Sequence, residues 1–283
     1  MRFIQKGSPG IIKGDQENLV LRKSMTTAMG TAAFLLAVPL HAEQEPGAFD
    51  EANFSGTVTG QYAYLDLAGL PDPNVKSIAG EGEFALGAGL HAQFHAGYNY
   101  ATLPGAHISN WNLGGSGYWK GSMGRGGVLV NYTDVNLSVL GTTHTTNFGA
   151  FGEYFANEYF TFGVKGGGFS GDVSGGYAGA QLTGYVFPDF AISAGMNYTH
   201  FNHITAETDL SIQAEYLLDH ELPFAGFAGY TYSDLSDGGG AVSTFLVGVR
   251  FYFNTDGFSS LVERQRSGTV GAIGNFGPVG LNF

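Results

Sequence analysis

The stretch that decides the fold is residues 241–253, AVSTFLVGVRFYF. Successive side chains of an extended strand point to opposite faces, so the odd-numbered residues from Phe245 to Phe253 share one apolar, aromatic face. The other face carries Arg250, whose charge would be costly in a dry core without a partner. An apolar face turned towards lipid and a mixed face turned towards a lumen would accommodate both sets, as in a transmembrane β-barrel strand. The alternative is an edge strand of a soluble β-sandwich.

The composition favours the barrel. The 283 residues include 46 glycines, 23 phenylalanines and 15 tyrosines, and only 13% are charged, compared with about 25% in soluble domains. The absence of cysteine excludes disulfides and thiolate metal sites. The formal net charge of −12 argues against nucleic acid as a partner, because neutralising phosphates requires a basic surface. No cofactor is predicted.

Residues 1–42 are predicted to be an N-terminal extension followed by a signal peptide. Arg22 and Lys23 precede an apolar stretch over residues 26–40, and Ala42 is followed by acidic residues. A basic region, an apolar core and a small residue before a polar stretch are typical of export signals. A buried helix or a membrane anchor is the alternative interpretation. Cleavage is predicted after Ala42, which leaves residues 43–52 as a polar lead.

Alternating apolar and polar residues predict twelve strands between residues 53 and 253. The predicted strands are residues 54–68, 77–87, 91–102, 110–120, 128–134, 147–155, 159–169, 177–186, 190–198, 210–218, 224–233 and 241–253. An even number suits a bacterial barrel with both termini on one side. The predicted fold class is therefore all-β, a transmembrane antiparallel up-and-down barrel of about twelve strands, with ten or fourteen as alternatives.

The connections predict the orientation of the barrel. Short turns near residues 87, 157, 188 and 220 alternate with longer polar segments at 66–77, 134–146, 200–209 and 233–240, and short periplasmic turns with longer outer loops are typical of outer-membrane barrels. The outer loops are expected to be acidic and to contain Asp66, Asp72, Asp134, Asp172, Glu207, Asp209, Asp234 and Asp237. Ordinary solvation explains such loops. Bridging through divalent cations to anionic lipopolysaccharide is the sharper hypothesis.

Two stretches resemble the small, largely uncharacterised, porin-like β-barrel proteins of the Gram-negative outer membrane. They are residues 112–119, NLGGSGYW, and residues 247–253, VGVRFYF. The resemblance implies a location in the cell outer membrane, with outer-membrane lipid and lipopolysaccharide as partners. Gly248, Phe251 and Phe253 are similar to the last-strand signal of such barrels, which implies that the barrel-assembly machinery recognises them.

Residues 254–283 are predicted to be a flexible, glycine-rich periplasmic tail. The chain ends in Phe283, so this segment could instead supply the closing strand. Pro278 and the glycines after Ser267 argue against that alternative, because they disrupt strand pairing.

The polar faces of the strands predict the residues that line the lumen. The charged ones are Glu81, Glu83, Lys120, Glu153, Lys165, Glu215 and Arg250, and the others are His91, His95, Tyr177, Tyr185 and Tyr252. Glu153 and Lys165 are expected to lie within reach across one hairpin. Arg250 has no acid at matching height on the first strand and is expected to be hydrated; the alternative is a pair with an acid elsewhere in the barrel. His91 and His95 would lie about 13 Å apart along one strand, which is too far to share a metal ion.

The strand count bears on function. Eight-stranded barrels fill with side chains, whereas sixteen strands leave an aqueous channel. Twelve strands therefore favour a narrow porin-like channel for passive diffusion of small solutes. The alternatives are a barrel-embedded hydrolase of the phospholipase or protease class, for which no set of serine, histidine and acid stands out, and a structural or adhesive barrel that acts through its acidic outer loops.

The export signal makes the first testable prediction. Because a signal peptide is removed after translocation, protein isolated from outer membranes should begin at Glu43. Intact-mass and N-terminal peptide mass spectrometry would check this. A mature chain that begins at Met1 or Met25 would contradict it.

Overall fold

The twelve strands of a computed structural model close into one antiparallel barrel. They are β1 Phe54–Leu67, β2 Asn74–Gly87, β3 Leu90–Leu103, β4 Ala106–Gly121, β5 Gly124–Leu137, β6 Gly141–Asn157, β7 Phe160–Gly171, β8 Gly175–Phe187, β9 Phe190–Phe201, β10 Ala206–Leu217, β11 Phe224–Leu235 and β12 Gly240–Phe253. Each strand pairs with its neighbours in sequence, and β12 closes the ring by pairing with β1. The structure describes residues 54–67, 73–103, 105–138, 141–202, 206–218, 223–236, 240–253 and 260–269.

The predicted fold class is confirmed. All twelve predicted strands are present, so the alternatives of ten or fourteen strands are wrong. The observed strands have 12–17 residues, which exceeds the roughly 9–11 residues that a tilted strand needs to cross a bilayer. The predicted signal peptide and the polar lead over residues 43–52 lie outside the described residues.

The two faces of β12 are those predicted from the sequence. Phe245, Val247 and Val249 are each more than half exposed on the outside of the barrel. Thr244 and Tyr252, on the alternate positions, are buried inside it. Because large apolar side chains are exposed around the whole wall, the outer surface is suited to lipid rather than to water.

Two aromatic girdles mark the limits of the apolar surface. We call the end that holds the start of β1 and the end of β12 the terminal end, and the opposite end the loop end. Phenylalanines dominate at the terminal end, where Phe54 has its ring centroid 4.7 Å from that of Phe84 and 5.6 Å from that of Phe253. Tyrosines and a tryptophan are exposed at the loop end: Tyr62, Tyr64, Tyr98, Tyr100, Trp111, Tyr198 and Tyr232. Such girdles flank the apolar band of outer-membrane barrels.

The predicted loop lengths are partly wrong. Four connections at the terminal end are two-residue turns, as expected, but those at the loop end have only two to six residues. The segments 134–146 and 200–209 are mostly strand, because β5, β6, β9 and β10 continue beyond their predicted ends. Glu207 and Asp209, predicted in a loop, are instead inward-facing in β10 and only 1% exposed. Asp72 and Asp237 lie outside the described residues.

The prediction of a flexible tail is wrong for residues 260–269. Leu261–Ser267 form a short helix, α1. Ser260 caps it, since the Ser260 side chain accepts a hydrogen bond from the Glu263 amide and the Glu263 carboxylate accepts one from the Ser260 amide. Residues 254–259 and 270–283 lie outside the described residues. No described helix is long and apolar enough to cross a membrane.

The lipid-facing assignment makes a second prediction. Val247→Arg should disfavour the folded, inserted barrel by about 2–4 kcal/mol, because it places a charge in the apolar band. Thr231→Arg, which places the same side chain on the lumen side of β11, should cost less. Urea unfolding in lipid vesicles, followed by tryptophan fluorescence, would measure both. Equal losses would mean that the faces are wrongly assigned.

Candidate functional site in the barrel lumen

The inward faces of all twelve strands surround a cavity of about 240 Å³. Hydroxyl and amide side chains are the largest group in its wall, and they alternate along the strands with the outward apolar residues. Eight of the predicted lumen residues line it: Glu81, His95, Glu153, Lys165, Tyr185, Glu215, Arg250 and Tyr252. The other four point inward but lie beyond the cavity wall, at Glu83, His91, Lys120 and Tyr177.

Arg250 is paired, so the expectation of a hydrated charge is wrong and the alternative of an acid partner is confirmed. Its Nη1 donates to Glu215 Oε2 at 2.7 Å, and its Nε donates to Thr59 Oγ1 at 3.2 Å. The Tyr252 hydroxyl donates to the other carboxylate oxygen of Glu215 at 2.6 Å. Glu215 lies on β10, two strands away from Arg250 on β12. A search for acids on the first strand alone therefore did not find it. Arg250 is therefore held in a fixed hydrogen-bonded group.

Arg125, like Glu207 and Asp209, is an interior charge that the sequence analysis missed. Its Nε donates to Glu153 Oε2 at 2.7 Å, so Glu153 pairs with Arg125 and not with Lys165 as predicted. Arg125 is only 2% exposed. The predicted β5 began at Val128 and left Arg125 in a turn. The observed β5 begins at Gly124, and Arg125 lies four residues before the inward-facing Leu129, so both side chains are on the inner face.

Residues 260–269, which we call the capping segment, lie across the terminal end of the lumen. Leu261 is fully buried among side chains that include Tyr185 and Leu217, and its amide donates to the Pro188 carbonyl at 2.9 Å. At the far end of the segment, Arg125 Nη1 donates to the Gly268 carbonyl at 2.6 Å. The segment therefore extends from β8–β10 on one side of the mouth to β5 on the other.

The capping segment is tied to the wall by charged side chains. Arg266 donates from Nη2 to the Asn157 carbonyl at 2.6 Å and from Nε to Thr161 Oγ1 at 3.1 Å. Its guanidinium also lies 5.2 Å from the ring centroid of Tyr185. Lys120 Nζ donates to the Ser267 carbonyl at 2.8 Å. These contacts use side-chain donors to satisfy carbonyl oxygens at the C-terminal end of α1 and at the end of β6.

The same segment touches both interior ion pairs. Arg125 Nη2 donates to the Gln265 carbonyl at 2.9 Å, while the Gln265 side chain lies 3.4 Å from Glu215 Oε2. Glu215 holds Arg250 and Arg125 holds Glu153, so the four charges and the capping segment form one connected network.

Apolar side chains fill the lumen at the loop end. We call them the apolar layer: Leu65, Val75, Ala101, Val135, Leu137, Phe169, Val173, Phe201, Leu235 and Val242. Each is no more than 7% exposed. They form three separate clusters on different sides of the barrel, and the buried acids Glu207 and Asp209 lie at the same end. These apolar clusters therefore narrow the lumen at the loop end.

The two lumen histidines have defined partners. His91 Nδ1 lies 2.5 Å from Glu83 Oε1, and its ring stacks on Tyr118 with centroids 5.3 Å apart. His95 Nε2 is hydrogen-bonded to Asn131 Oδ1 at 2.9 Å. Neither of these contacts brings a histidine to a serine or threonine hydroxyl. Within the described part of the chain, no group of three or more histidine, aspartate or glutamate residues is placed to hold a metal ion.

The network around Glu215 makes a third prediction. Glu215→Gln should destabilise the barrel by about 1–3 kcal/mol, because Arg250 would lose its counter-ion in a confined lumen. Glu158→Gln, in an exposed turn, is the matched control and should have almost no effect. Urea unfolding would compare the two variants. A Glu215→Gln barrel as stable as the control would contradict the structural role of the pair.

Comparison with known proteins shows a shared fold. No family model and no curated protein matches the chain. Among solved structures, an outer-membrane channel of Pseudomonas putida F1 is 15% identical with a TM-score of 0.50, covering 75% of this chain and 100% of that one. KdgM porin, in complex with disordered oligogalacturonate, is 10% identical with a TM-score of 0.49, covering 69% of this chain and 98% of that one. The chain thus has the fold of an outer-membrane β-barrel.

Proposed function

We propose that the protein is a narrow channel of the outer membrane for small polar solutes. The observation that carries the proposal is the polar cavity, which is surrounded by all twelve strands inside a wall that faces lipid. Hydroxyl and amide groups in such a place need water or a solute as partners, since leaving them without hydrogen bonds is costly. A hollow, wettable barrel interior supports passage of polar solutes, whereas a purely structural barrel could be filled with apolar side chains.

The capping segment and the apolar layer would keep this channel closed. Apolar constrictions in a pore resist wetting and thereby stop ions and polar solutes. The capping segment has no strand pairing with the barrel. It is held by the burial of Leu261, by a backbone hydrogen bond from the Leu261 amide to Pro188, and by side-chain hydrogen bonds. It can therefore leave the mouth without breaking the barrel wall. Opening at the terminal end would be a movement of this segment alone.

The interior charges would give such a channel little preference between ions. Three acids, Glu81, Glu153 and Glu215, and three bases, Arg125, Lys165 and Arg250, line the cavity through the strands. Two of each are joined in ion pairs. A wall with balanced, paired charge produces only a weak net field, so it does not steer either sign of ion strongly.

The cellular surroundings are part of the same proposal. The barrel would lie among outer-membrane lipid and lipopolysaccharide, and the barrel-assembly machinery would recognise Gly248, Phe251 and Phe253 on the closing strand. Gly248 also has a packing role, because a Cβ atom there would lie 2.3 Å from the Phe227 ring and 2.7 Å from the Gly60 carbonyl oxygen. The short connections at the loop end leave little surface for an adhesive function.

The channel proposal is tested by releasing the capping segment. Leu261→Asp places a charge in a fully buried apolar site, so the segment should leave the mouth. In planar lipid bilayers the wild type should conduct rarely, and Leu261→Asp should conduct steadily. Leu261→Met, which keeps an apolar side chain of similar volume, should behave like the wild type.

Circular dichroism would first establish that all three proteins are folded. If folded Leu261→Asp does not conduct in planar bilayers, the proposed channel is contradicted. Absence of conductance together with hydrolysis of phospholipid or peptide would favour the hydrolase class instead.

A further inference from the structure

Four polar side chains form a row across neighbouring strands inside the barrel. Gln61 on β1 pairs in register with Ser77 on β2, Ser77 pairs with Asn99 on β3, and Asn99 pairs with Asn110 on β4. All four point inward, and side chains directly opposite on paired strands are about 4.5–5.5 Å apart at Cβ. We call these residues the polar row. Gln61, Ser77 and Asn99 line the cavity.

The polar row has hydrogen-bonding atoms that the protein leaves unused. Gln61 Nε2, Ser77 Oγ and both side-chain atoms of Asn110 are buried without a hydrogen-bond partner. Asn110 is only 1% exposed. Leaving one such group unsatisfied costs about 1–3 kcal/mol, so an occupant of the cavity would complete the hydrogen bonds of Gln61 and Ser77, which line it. The unused atoms include both donors and acceptors.

An aromatic side chain lies beside the row. The Phe227 ring lies against Gly248, which is paired with Gln61. The ring is in contact with the Arg250 guanidinium, whose carbon lies 5.3 Å from its centroid. The side of the cavity next to Gln61 therefore offers both an apolar ring and neutral hydrogen-bonding groups.

The row itself carries no charge. Arg250, the nearby cation, is paired with Glu215. A charged ligand would have to leave water without gaining a counter-ion from the row, which is unfavourable. An uncharged ligand with several hydroxyl groups could instead replace its bonds to water by bonds to the amides and to Ser77.

We infer that the polar row is a binding subsite for a small uncharged polyhydroxylated solute of about monosaccharide size. The cavity of about 240 Å³ lies just below the usual range of ligand pockets, roughly 300–1,000 Å³, and so limits the solute to a small one. The inference deepens the proposed channel by naming the class of solute. Ordered water is the competing occupant, since water also satisfies buried polar atoms.

Equilibrium dialysis of the full-length protein in detergent micelles with labelled D-glucose tests the inference. One day of dialysis far exceeds the microseconds to seconds of lid opening and local unfolding, so the closed mouth does not prevent equilibration. The wild type should retain glucose saturably. Gluconate, a charged compound of similar size, should not be retained.

Gln61→Leu keeps the volume of the side chain but removes its amide, and it should weaken glucose retention about tenfold, which corresponds to the loss of one hydrogen bond. The matched control is Gln181→Leu on β8, five strands away around the wall, where the amide already donates to Thr183 Oγ1 at 3.2 Å. Glucose retention by Gln181→Leu should stay within about twofold of that by the wild type. Circular dichroism would verify that both variants are folded.

The outcomes separate this inference from the channel proposal. No saturable retention by the wild type, or equal retention by the two variants, would overturn the subsite and leave water as its occupant. Retention by the wild type without conductance from Leu261→Asp would support the subsite and overturn the channel.

Discussion

The pairing of β12 with β1 is the constraint on which the rest of the structure depends. A bilayer offers no hydrogen bonds to backbone amides and carbonyls, so an open sheet edge is excluded and the strands must close into a ring. The closing pair runs in register from Gly56 with Phe253 to Leu67 with Val242. Closure then assigns each side chain to one of two surroundings, because alternate residues face lipid or lumen. The outside must be apolar, and all the polar chemistry is collected inside.

Because polar groups are collected inside, charged side chains in the lumen need partners, and the capping segment supplies some of them. Arg125 and Arg250 cannot stay unpaired in a confined lumen, and each has a carboxylate from another strand within 2.7 Å. The two terminal nitrogens of Arg125 also donate, and the carbonyls of Gly268 and Gln265 each accept one of these hydrogen bonds. The segment that closes the mouth is thus also part of the hydrogen bonding of the buried charges. Its departure would have to be compensated by water, which couples closure of the mouth to hydration of the lumen.

The fold could be predicted from the sequence because its signal is local. Alternation over residues 241–253 fixes the two faces of β12, and eleven other stretches repeat it. The pairings inside the lumen could not be predicted in the same way. Arg250 and Glu215 stand on strands separated by one other strand, and only the tilt and register of the closed wall bring them together. The helix at Leu261–Ser267 was missed because seven residues among glycines carry too little periodicity, although Ser260 and Glu263 have capping-box spacing.

The apolar layer and the capping segment obstruct opposite ends of the lumen by different means, so the two ends are not equivalent. The apolar layer is built from side chains such as Phe169 and Phe201 that the strands hold in place. It can therefore change only in whether water fills the space between these side chains. The capping segment is held by hydrogen bonds and by the burial of Leu261 rather than by strand pairing, so it can move as a unit. Between them lies the polar row, whose unused donors and acceptors are separated from the mouth by the charged network. A solute from the terminal end would therefore meet the paired charges first, the neutral row next and the apolar layer last.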